Sequence, residues 1–195
     1  MIRTIFLDVD GVMANFLGGL HKAMNAPYAY DPYPYKKGLW NMLDAIKPFD
    51  FGGNPPTFEE CDACCTQEFW ANLDWMHDGN DILRQVVATF NPDDIFLLTT
   101  PMPNVGSASG KMEWINKNLP AYKNKIFITT ASKSVIAGPD TLLIDDRDKN
   151  VEEFRTAGGH AILIARPWNA LHMVANNTLE NFKYSIESMR ITGVL

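Results

Sequence analysis

Aspartate and threonine residues follow directly on three short apolar runs of the sequence. These polar groups are Asp8-Val9-Asp10, Thr99-Thr100 and Asp145-Asp146. The apolar runs have the length and composition of buried strands. Because ligands of open parallel sheets bind at the carboxyl ends of the strands, the three groups are expected to meet at one site. Any single group is equally well explained as a turn or a helix cap, but caps have no reason to bring carboxylates together.

Carboxylates gathered at one site repel each other and require a cation. Oxygen donors with few other ligand types suit Mg²⁺, so we expect a magnesium ion at this acidic cluster. An EF-hand calcium loop starting at Asp146 is excluded by two residues. Val151 stands where that loop needs glycine, and Ala157 stands where it needs glutamate.

The elements that must position these residues alternate between strand and helix. Strands are predicted at residues 4–8, 94–100, 126–128, 141–144 and 161–164, and helices at 79–90, 109–118 and 149–157. Ser107 or Ser109 is expected to cap the helix at 109–118. This order favours an α/β fold, a Rossmann-like parallel sheet with helices on both faces.

The region between residues 14 and 85 does not share this alternation. Helical stretches are predicted at 13–24, 38–47 and 57–76, with breaks at 28–35 and 52–56. We interpret residues 14–85 as a small, mostly helical cap domain inserted after the first strand. Residues 1–13 and 86–195 would then form the catalytic core domain.

The composition bounds the partners. Hydrophobic residues make up 46% of the 195 residues, as in an ordinary globular protein. Because the net charge is -6, no basic surface for duplex nucleic acid is expected. No apolar stretch approaches the roughly 20 residues of a membrane span. Ile5-Phe6-Leu7 is too short for the core of a signal peptide, which favours a cytoplasmic location. The oligomeric state is open, a homodimer included.

Three cysteines lie close together, at Cys61, Cys64 and Cys65. A zinc site is conceivable, but structural zinc sites use four ligands and no second cysteine pair follows. Reduced, partly buried thiols are the favoured interpretation.

Four segments resemble the motifs of the haloacid dehalogenase superfamily, in order and along the whole sheet-forming part of the chain. Residues 6–12, Phe-Leu-Asp-Val-Asp-Gly-Val, resemble its first motif and Thr99 its second. Lys133 resembles the third motif, and residues 142–147, Leu-Leu-Ile-Asp-Asp-Arg, the fourth.

A closer resemblance is to the 5'(3')-deoxyribonucleotidases. Residues 8–16 resemble their extended first motif, which ends in an aromatic residue that faces the base, here Phe16. Residues 98–101, Leu-Thr-Thr-Pro, resemble their Thr-Ser-Pro motif, and Gly38-Leu39-Trp40 resembles a cap segment that lines their base pocket. The loop lengths of the cap and the cysteine cluster depart from the family.

The resemblance implies roles for the acidic residues. Asp8 would attack phosphorus and form an aspartyl-phosphate, and Asp10 would protonate the leaving oxygen and later deprotonate water. Asp8, Asp10, Asp145 and Asp146 would form the metal site. In that site Asp10 would contribute its backbone carbonyl and Asp146 would be the direct ligand of the acidic pair, with Asp145 acting beside it.

Two further residues would act on the transferring phosphoryl group. Thr99 would donate a hydrogen bond to a phosphoryl oxygen, and Lys133 would offset the charge of that oxygen and of Asp8. Lys111 also follows the second motif and competes for the role of Lys133. The expected place of Lys133 in the loop before the fourth strand favours Lys133.

Aromatic residues in the proposed cap are candidates for a base pocket, because aromatic faces stack on nucleobases. Phe16 and Trp40 are predicted to line this pocket, and Leu39 and Thr100 stand in the matching segments as further substrate contacts. Three other aromatic residues are predicted to be core, namely Phe69, Trp70 and Trp75.

The expected function is that of a Mg²⁺-dependent phosphomonoester hydrolase, a 5'-nucleotidase acting on (deoxy)ribonucleoside monophosphates. The alternatives are a phosphatase of another small ester and a polynucleotide 3'-phosphatase. A non-catalytic phosphate-binding domain is an alternative of another class, although both Asp8 and Asp10 are retained. The preferred base and sugar, and the choice between 5'- and 3'-phosphates, stay open.

Overall fold

The central element is a five-stranded parallel sheet with the strand order β3-β2-β1-β4-β5. The computed structural model of the chain describes residues 2–26, 30, 37–38, 40 and 56–195. The strands are β1 (Thr4–Leu7), β2 (Ile95–Thr99), β3 (Ile126–Ile128), β4 (Thr141–Asp145) and β5 (His160–Leu163). The predicted α/β class and parallel sheet are confirmed, and each strand boundary lies within one residue of the prediction.

The register of the three central strands brings their carboxyl ends to the same level. Leu7 of β1 pairs with Leu97 of β2 on one side and with Ile144 of β4 on the other. The Asp8 amide continues this pairing by donating to the Ile144 carbonyl at 2.9 Å. The residues that follow these positions therefore meet at one edge of the sheet, as predicted.

Seven α-helices are described. They are α1 (Phe16–Ala23), α2 (Phe58–Cys64), α3 (Gln67–Ala71), α4 (Gly79–Thr89), α5 (Gly106–Asn118), α6 (Asp148–Thr156) and α7 (Thr178–Ile191). The predicted helix at 38–47 lies outside the described residues, apart from positions 38 and 40. The C-terminal helix α7 has no counterpart among the sequence-based expectations.

The helix expected at 57–76 is two short helices, so that prediction was wrong in its length. Thr57 caps α2 in a reciprocal capping box with Glu60. Thr66 then accepts a hydrogen bond from the Phe69 amide and starts α3 as a new helix. A threonine side chain at the boundary thus satisfies the amides of a fresh helical turn, and the chain changes direction there.

The expected serine cap of α5 is also wrong. The residue before the helix is Val105, and the Gly106 amide at the helix start donates to the Asn104 side chain at 3.0 Å. Ser107 lies inside the helix, and its hydroxyl accepts a hydrogen bond from the Met102 amide at 3.0 Å. The helix therefore begins three residues earlier than predicted, and Ser107 stabilises the loop that leads from β2 into it.

The two faces of the sheet are covered by different helices. Alternate residues of β1 point to opposite sides, with Leu7 in the larger core and Phe6 in the smaller one. The larger core receives side chains from α1, α3, α4, α5 and α7. The smaller one is closed by α6, through Val151 and Phe154. Helices on both faces of the sheet confirm the Rossmann-like layering.

Helices of the predicted cap region share the larger core with the sheet. Leu17 and Leu20 of α1 and Trp70 of α3 belong to the same buried cluster as Leu7. The division into a cap at 14–85 and a core domain stays a prediction. Within the described residues, no helix combines the length and the apolar character that a bilayer crossing requires.

Helix α3 lies against α5 at unusually short range because two glycines face it. A Cβ atom on Gly106 would lie 2.6 Å from the Gln67 amide nitrogen, and one on Gly110 would lie 2.6 Å from the Cβ of Trp70. Backbone and Cβ atoms cannot move aside as the end of a flexible side chain can. The spacing of the two helices therefore depends on glycine at both positions.

Gly110→Ala is expected to destabilise the protein. The added methyl group must push α3 away from α5, which costs about 1–3 kcal/mol and outweighs the helix-propensity gain of about 1 kcal/mol. The free energy of unfolding in urea measures this loss. Gly138→Ala is the control, since its nearest neighbours to the new Cβ lie at 3.6 and 3.8 Å. Equal stabilities of the two variants would contradict the tight helix contact.

Candidate active site

A cleft of about 310 Å³ opens where the strands β1, β2 and β4 end. Its floor contains the acidic residues Asp8, Asp10 and Asp146 together with Lys133. Of the predicted site residues, Phe16, Trp40 and Thr100 also line it. Leu39 lies outside the described residues. The structure therefore brings the polar strand ends and part of the proposed base pocket into one cavity.

Lys133 bridges two buried aspartates on neighbouring strands. Its Nζ lies 2.7 Å from Asp8 Oδ1 and 2.7 Å from Asp145 Oδ2. All three side chains are nearly inaccessible to solvent, between 0% and 7% exposed. Although burial alone would lower the pKa of Lys133, the carboxylates of Asp145 and Asp8 raise it above its ordinary value. The lysine is thus a fixed positive charge beside Asp8, and its place in a 3₁₀ turn at Lys133–Ile136 before β4 agrees with the predicted loop position.

Asp145 is fully occupied by hydrogen bonds inside the protein. Its Oδ1 accepts from the Arg147 amide at 2.9 Å, and the Asn150 side-chain amide lies 3.1 and 3.0 Å from its two oxygens. Together with Lys133, these donors fix the carboxylate in one orientation. The arrangement suits a residue that holds its neighbours in place.

Asp146 is held by residues that follow β5. Trp168 donates its indole N–H to Asp146 Oδ2 at 2.7 Å, and the Asn169 side chain donates to the Asp146 carbonyl at 2.8 Å. Burial, followed by the charge of Asp145, raises the pKa of Asp146 to about 7, although the Trp168 hydrogen bond opposes this. The carboxyl group is therefore fixed in place but lacks a full positive partner.

Asp8 has the same electrostatic character. Burial raises its pKa well above the ordinary value; Lys133 opposes the shift, and the carboxylates of Asp145, Asp146 and Asp10 add to it. A single lysine does not compensate this much buried negative charge. A cation bound among these groups would supply the missing charge.

Three of the carboxylates are close enough to share a metal ion. One oxygen from each of Asp8, Asp145 and Asp146 lies within 4.8 Å of the others. The donors are all oxygens, as Mg²⁺ prefers, so the residues present fit this ion. The side chain of Asp10 is not part of this group, and a metal contact of the Asp10 carbonyl stays a prediction. Among the described residues the three cysteines form no comparable group. They are free thiols, and burial raises the pKa of Cys61 to about 11.

The turn after Asp10 must be glycine. Gly11 has a φ of +73°, and a Cβ atom there would collide with the carboxylate of Asp146. Arg166 fixes this turn from below, since its Nε donates to the Gly11 carbonyl at 2.6 Å. The same guanidinium binds both oxygens of Asp78, at 2.7 and 3.0 Å. A fully buried arginine thus ties the turn of the first motif to the start of α4.

Asp10 is held by a different pair of residues. Thr99 donates to Asp10 Oδ2 at 3.0 Å, and Lys111 of α5 forms an ion pair with the same oxygen. Thr99 is completely buried and Thr100 is exposed in the cleft. In this structure the hydroxyl of Thr99 therefore contacts Asp10, and Thr100 is the threonine that lines the cavity. The two candidate lysines are both buried; Lys133 binds Asp8 and Asp145, and Lys111 binds Asp10.

Aromatic rings form two walls of the cleft. Phe16 and Trp70 stack with centroids 5.0 Å apart and an angle of 3° between the rings. On the other wall, Trp40 contacts the Trp168 ring at 6.0 Å, and the Arg147 guanidinium lies 5.4 Å from the Trp40 ring. Trp70 was predicted as core only; it is 2% exposed, yet it also lines the cleft. Phe69 and Trp75 pack at the edge of the larger core.

Several residues that organise the site were not predicted. Arg166, Trp168 and Asn169 all follow β5, a strand whose end carried no polar motif. A signal was available, because polar residues after a fifth parallel strand must lie at the same sheet edge as the other strand ends. The sequence does not predict the path by which the segment after β5 reaches the Gly11 turn.

The match to known families agrees with this geometry. The family model described as 5' nucleotidase, deoxy (pyrimidine), cytosolic type C protein matches residues 1–188. The chain belongs to this family. Relatives of this nucleotidase occur in two strains of Staphylococcus epidermidis, under names that describe predicted 5'(3')-deoxyribonucleotidases. Each is 25% identical over 154 residues, which is 78% of either chain.

Solved structures show the same fold. A haloacid dehalogenase-like protein of unknown function from Agrobacterium tumefaciens superposes with a TM-score of 0.55 at 11% identity, covering 97% of the nucleotidase and 100% of that chain. A Bacillus subtilis protein, described as a predicted hydrolase of the same superfamily and solved with bound magnesium, gives 0.52 at 13% identity, covering 95% and 98%. The resemblance to the superfamily is confirmed. The protein is a phosphatase of the 5'-nucleotidase type, and its substrate is a small phosphorylated molecule.

Without metal, the stability of this nucleotidase is expected to fall as the pH rises from about 4 to about 7. In that window the folded protein keeps a proton on Asp146 (pKa about 7) that the unfolded chain, at 3.8, has lost. The stabilisation that comes from the raised pKa of Asp146 is therefore complete below pH 3.8 and is lost as the pH rises through 7. Between these values the free energy of unfolding should fall by up to about 1.4 kcal/mol per pH unit. The raised pKa of Asp8 acts in the same direction.

Urea unfolding in EDTA between pH 5 and 8 measures this slope. Asp146→Asn is the matched variant, because it keeps an oxygen acceptor for Trp168 but cannot titrate; its slope should be smaller. Saturating Mg²⁺ should reduce the slope of the wild type as well, since the ion binds the ionised carboxylates. Identical slopes for wild type and variant in EDTA would mean that Asp146 is already ionised in the metal-free fold.

Proposed function

We propose that the protein is a Mg²⁺-dependent 5'-nucleotidase that hydrolyses (deoxy)ribonucleoside monophosphates through an aspartyl-phosphate on Asp8. The observation that carries the proposal is that one cleft has a carboxylate nucleophile at its floor and stacked aromatic rings on its wall. The first suits a phosphoryl group and the second suits a base. Family membership and the names of the S. epidermidis relatives support the same substrate class.

The surroundings of Asp8 support its role as nucleophile. A carboxylate attacks best when it is fixed and has few competing hydrogen bonds. The Nζ of Lys133 is 2.7 Å from Asp8 Oδ1, which orients the group and places positive charge where phosphoryl oxygens would lie. Thr100, exposed in the same cleft, is suited to donate its hydroxyl to one of those oxygens.

Asp8, Asp146 and the Asp10 carbonyl would hold the magnesium ion, with Asp145 beside them. When bound, the ion neutralises the carboxylates and the phosphoryl oxygens and lowers the repulsion between them. Asp145 is already saturated by Lys133 and Asn150, which favours Asp146 as the direct ligand of the pair. The raised pKa values of Asp8 and Asp146 support the same assignment, since positive charge compensates neither carboxylate fully.

The chemistry divides into two balanced steps. In the first, a carboxylate oxygen of Asp8 forms a bond to phosphorus, the bond from phosphorus to the ester oxygen breaks, and Asp10 gives its proton to that oxygen. The nucleoside leaves as an alcohol. In the second step, water gives a proton back to Asp10 and its oxygen attacks phosphorus. The bond to Asp8 breaks, inorganic phosphate is released, and both aspartates return to their starting states.

The experiment that tests the function is phosphate release from a panel of nucleoside monophosphates, sugar phosphates and p-nitrophenyl phosphate, with and without Mg²⁺. We expect Mg²⁺-dependent release that favours deoxynucleotides. Asp8→Asn should lower turnover to background, and EDTA should do so reversibly. Release from other esters alone would discard the nucleotide pocket but keep Asp8. No release from any ester by folded, metal-bound protein would favour a phosphate-binding domain without activity.

Trp40→Ala tests the base pocket separately from the chemistry. Loss of a stacking ring costs about 1–3 kcal/mol of base binding, so the Michaelis constant for nucleotides should rise about tenfold or more. The Michaelis constant for p-nitrophenyl phosphate should change much less. Because this substrate has an aromatic ring that can itself stack on Trp40, a sugar phosphate hydrolysed by the wild type serves as a second control. Equal rises for all substrates would remove Trp40 from the base pocket.

A further inference from the structure

Within the described residues, the second buried lysine of the cleft region, Lys111, forms an ion pair with Asp10 and none with Asp8, Asp145 or Asp146. It lies in the second turn of α5 and is 2% exposed. Its Nζ forms an ion pair with Asp10 Oδ2 and lies 3.2 Å from the Thr99 hydroxyl oxygen. Burying an ammonium group is costly, so a lysine in this place needs partners that stabilise the charge.

The lysine is also supported by an aromatic ring. Its Nζ lies 3.9 Å from the centroid of the Trp70 ring, a cation–π contact. Trp70 is fixed in turn, since its indole N–H donates to the Cys65 carbonyl at 3.0 Å and its ring stacks on Phe16. The Lys111 ammonium group is thus held between the Asp10 carboxylate, the Thr99 hydroxyl and the Trp70 indole, which is itself fixed by its hydrogen bond.

The two oxygens of the Asp10 carboxyl group have different surroundings as a result. Oδ2 is held by both Thr99 and Lys111. Oδ1 is buried and accepts no hydrogen bond from the described residues. Two donors on Oδ2 therefore fix the orientation of the Asp10 carboxyl group at the cleft.

We propose that Lys111 is a positioning residue for proton transfer by Asp10, whereas Lys133 acts on the phosphoryl group. The inference rests on the proposed function and adds a division of labour between the two lysines. Lys111 and Thr99 hold Oδ2 and so orient the carboxyl group, whose proton passes to the ester oxygen as the bond from that oxygen to phosphorus breaks. In the second step, the attacking water gives a new proton to the Asp10 carboxylate.

The test uses substrates whose leaving groups differ in their need for a proton. An alcohol such as a nucleoside leaves poorly as an anion, whereas p-nitrophenol leaves readily as one. The ratio kcat/KM reports the steps up to release of this group, before the aspartyl-phosphate is hydrolysed. Lys111→Met should lower kcat/KM for the preferred nucleoside monophosphate by about 100-fold or more and lower that for p-nitrophenyl phosphate by only about threefold.

Three further variants separate this effect from its alternatives. Lys133→Met should lower kcat/KM for both substrates to a similar extent, because every phosphoryl group needs that charge. Asp10→Asn should reproduce the selective loss of Lys111→Met, and the double variant should be no worse than Asp10→Asn alone. Lys125→Met should leave both values unchanged, since the partners of Lys125, namely Pro92, Asp93 and the Phe96 ring, do not line the cleft.

The activity on p-nitrophenyl phosphate also reports whether the Lys111 variant is folded. If Lys111→Met does not fold, Lys111→Gln keeps a polar donor near Oδ2 and should show the same selectivity with a smaller loss. Equal losses on both substrates would assign Lys111 to the phosphoryl group, and no loss on either would make it structural; both results overturn the proposal. A wild type that hydrolyses no ester overturns the proposed function itself, and this is seen before any variant is made.

Discussion

The bridge from Lys133 to Asp8 and Asp145 is the interaction on which the site depends. Parallel pairing of β1 with β4 brings these two aspartates to one sheet edge, where burial and the neighbouring carboxylates oppose the ionisation of Asp8. A lysine 2.7 Å from both carboxylates makes the arrangement tolerable in the fold. It offsets only part of the charge, and the incomplete compensation is what gives the cluster its affinity for a cation. The clustered carboxylates therefore lower the stability of the metal-free protein, and the same carboxylates stabilise the fold once a cation is bound.

The residues after β5 extend this logic to the turn of the first motif. Trp168 and Asn169 fix Asp146 by its carboxylate and its carbonyl, and Arg166 fixes the Gly11 carbonyl. Each of these donors is buried, so each would be costly if its acceptor moved away. A contact made 155 residues along the chain thus determines where the Gly11 turn lies relative to Asp146. The turn tolerates no side chain because Arg166 holds the Gly11 carbonyl on one side and the Asp146 carboxylate fills the space that a Cβ atom would need.

The sheet and its polar strand ends could be predicted because both follow from local pattern. Short apolar runs report strands, and the polar residues after them must converge once the strands are parallel. Trp168 and Lys111 could not be assigned in the same way. The partner of Trp168 depends on the path of a loop, and Lys111 reaches Asp10 only because α5 starts at Gly106, without the serine cap that was expected. Trp70 was assigned to the core because burial and cleft lining are not exclusive for so large a ring, which presents one edge or face to each.

Under the proposed function, the contacts of Trp70 would link substrate recognition to proton transfer. One side of the indole system stacks on Phe16 at the wall proposed for the base, and Lys111 lies over the same ring. The ring is placed by α3, whose distance from α5 is set by Gly106 and Gly110. A change in the base wall that rotates Trp70 would therefore also displace the support of Lys111, and through it the Oδ2 atom of Asp10. The helices that form the wall pack into the same core as the sheet. Under the proposed function, a change at Trp70 would therefore affect substrate preference and the acid–base group together.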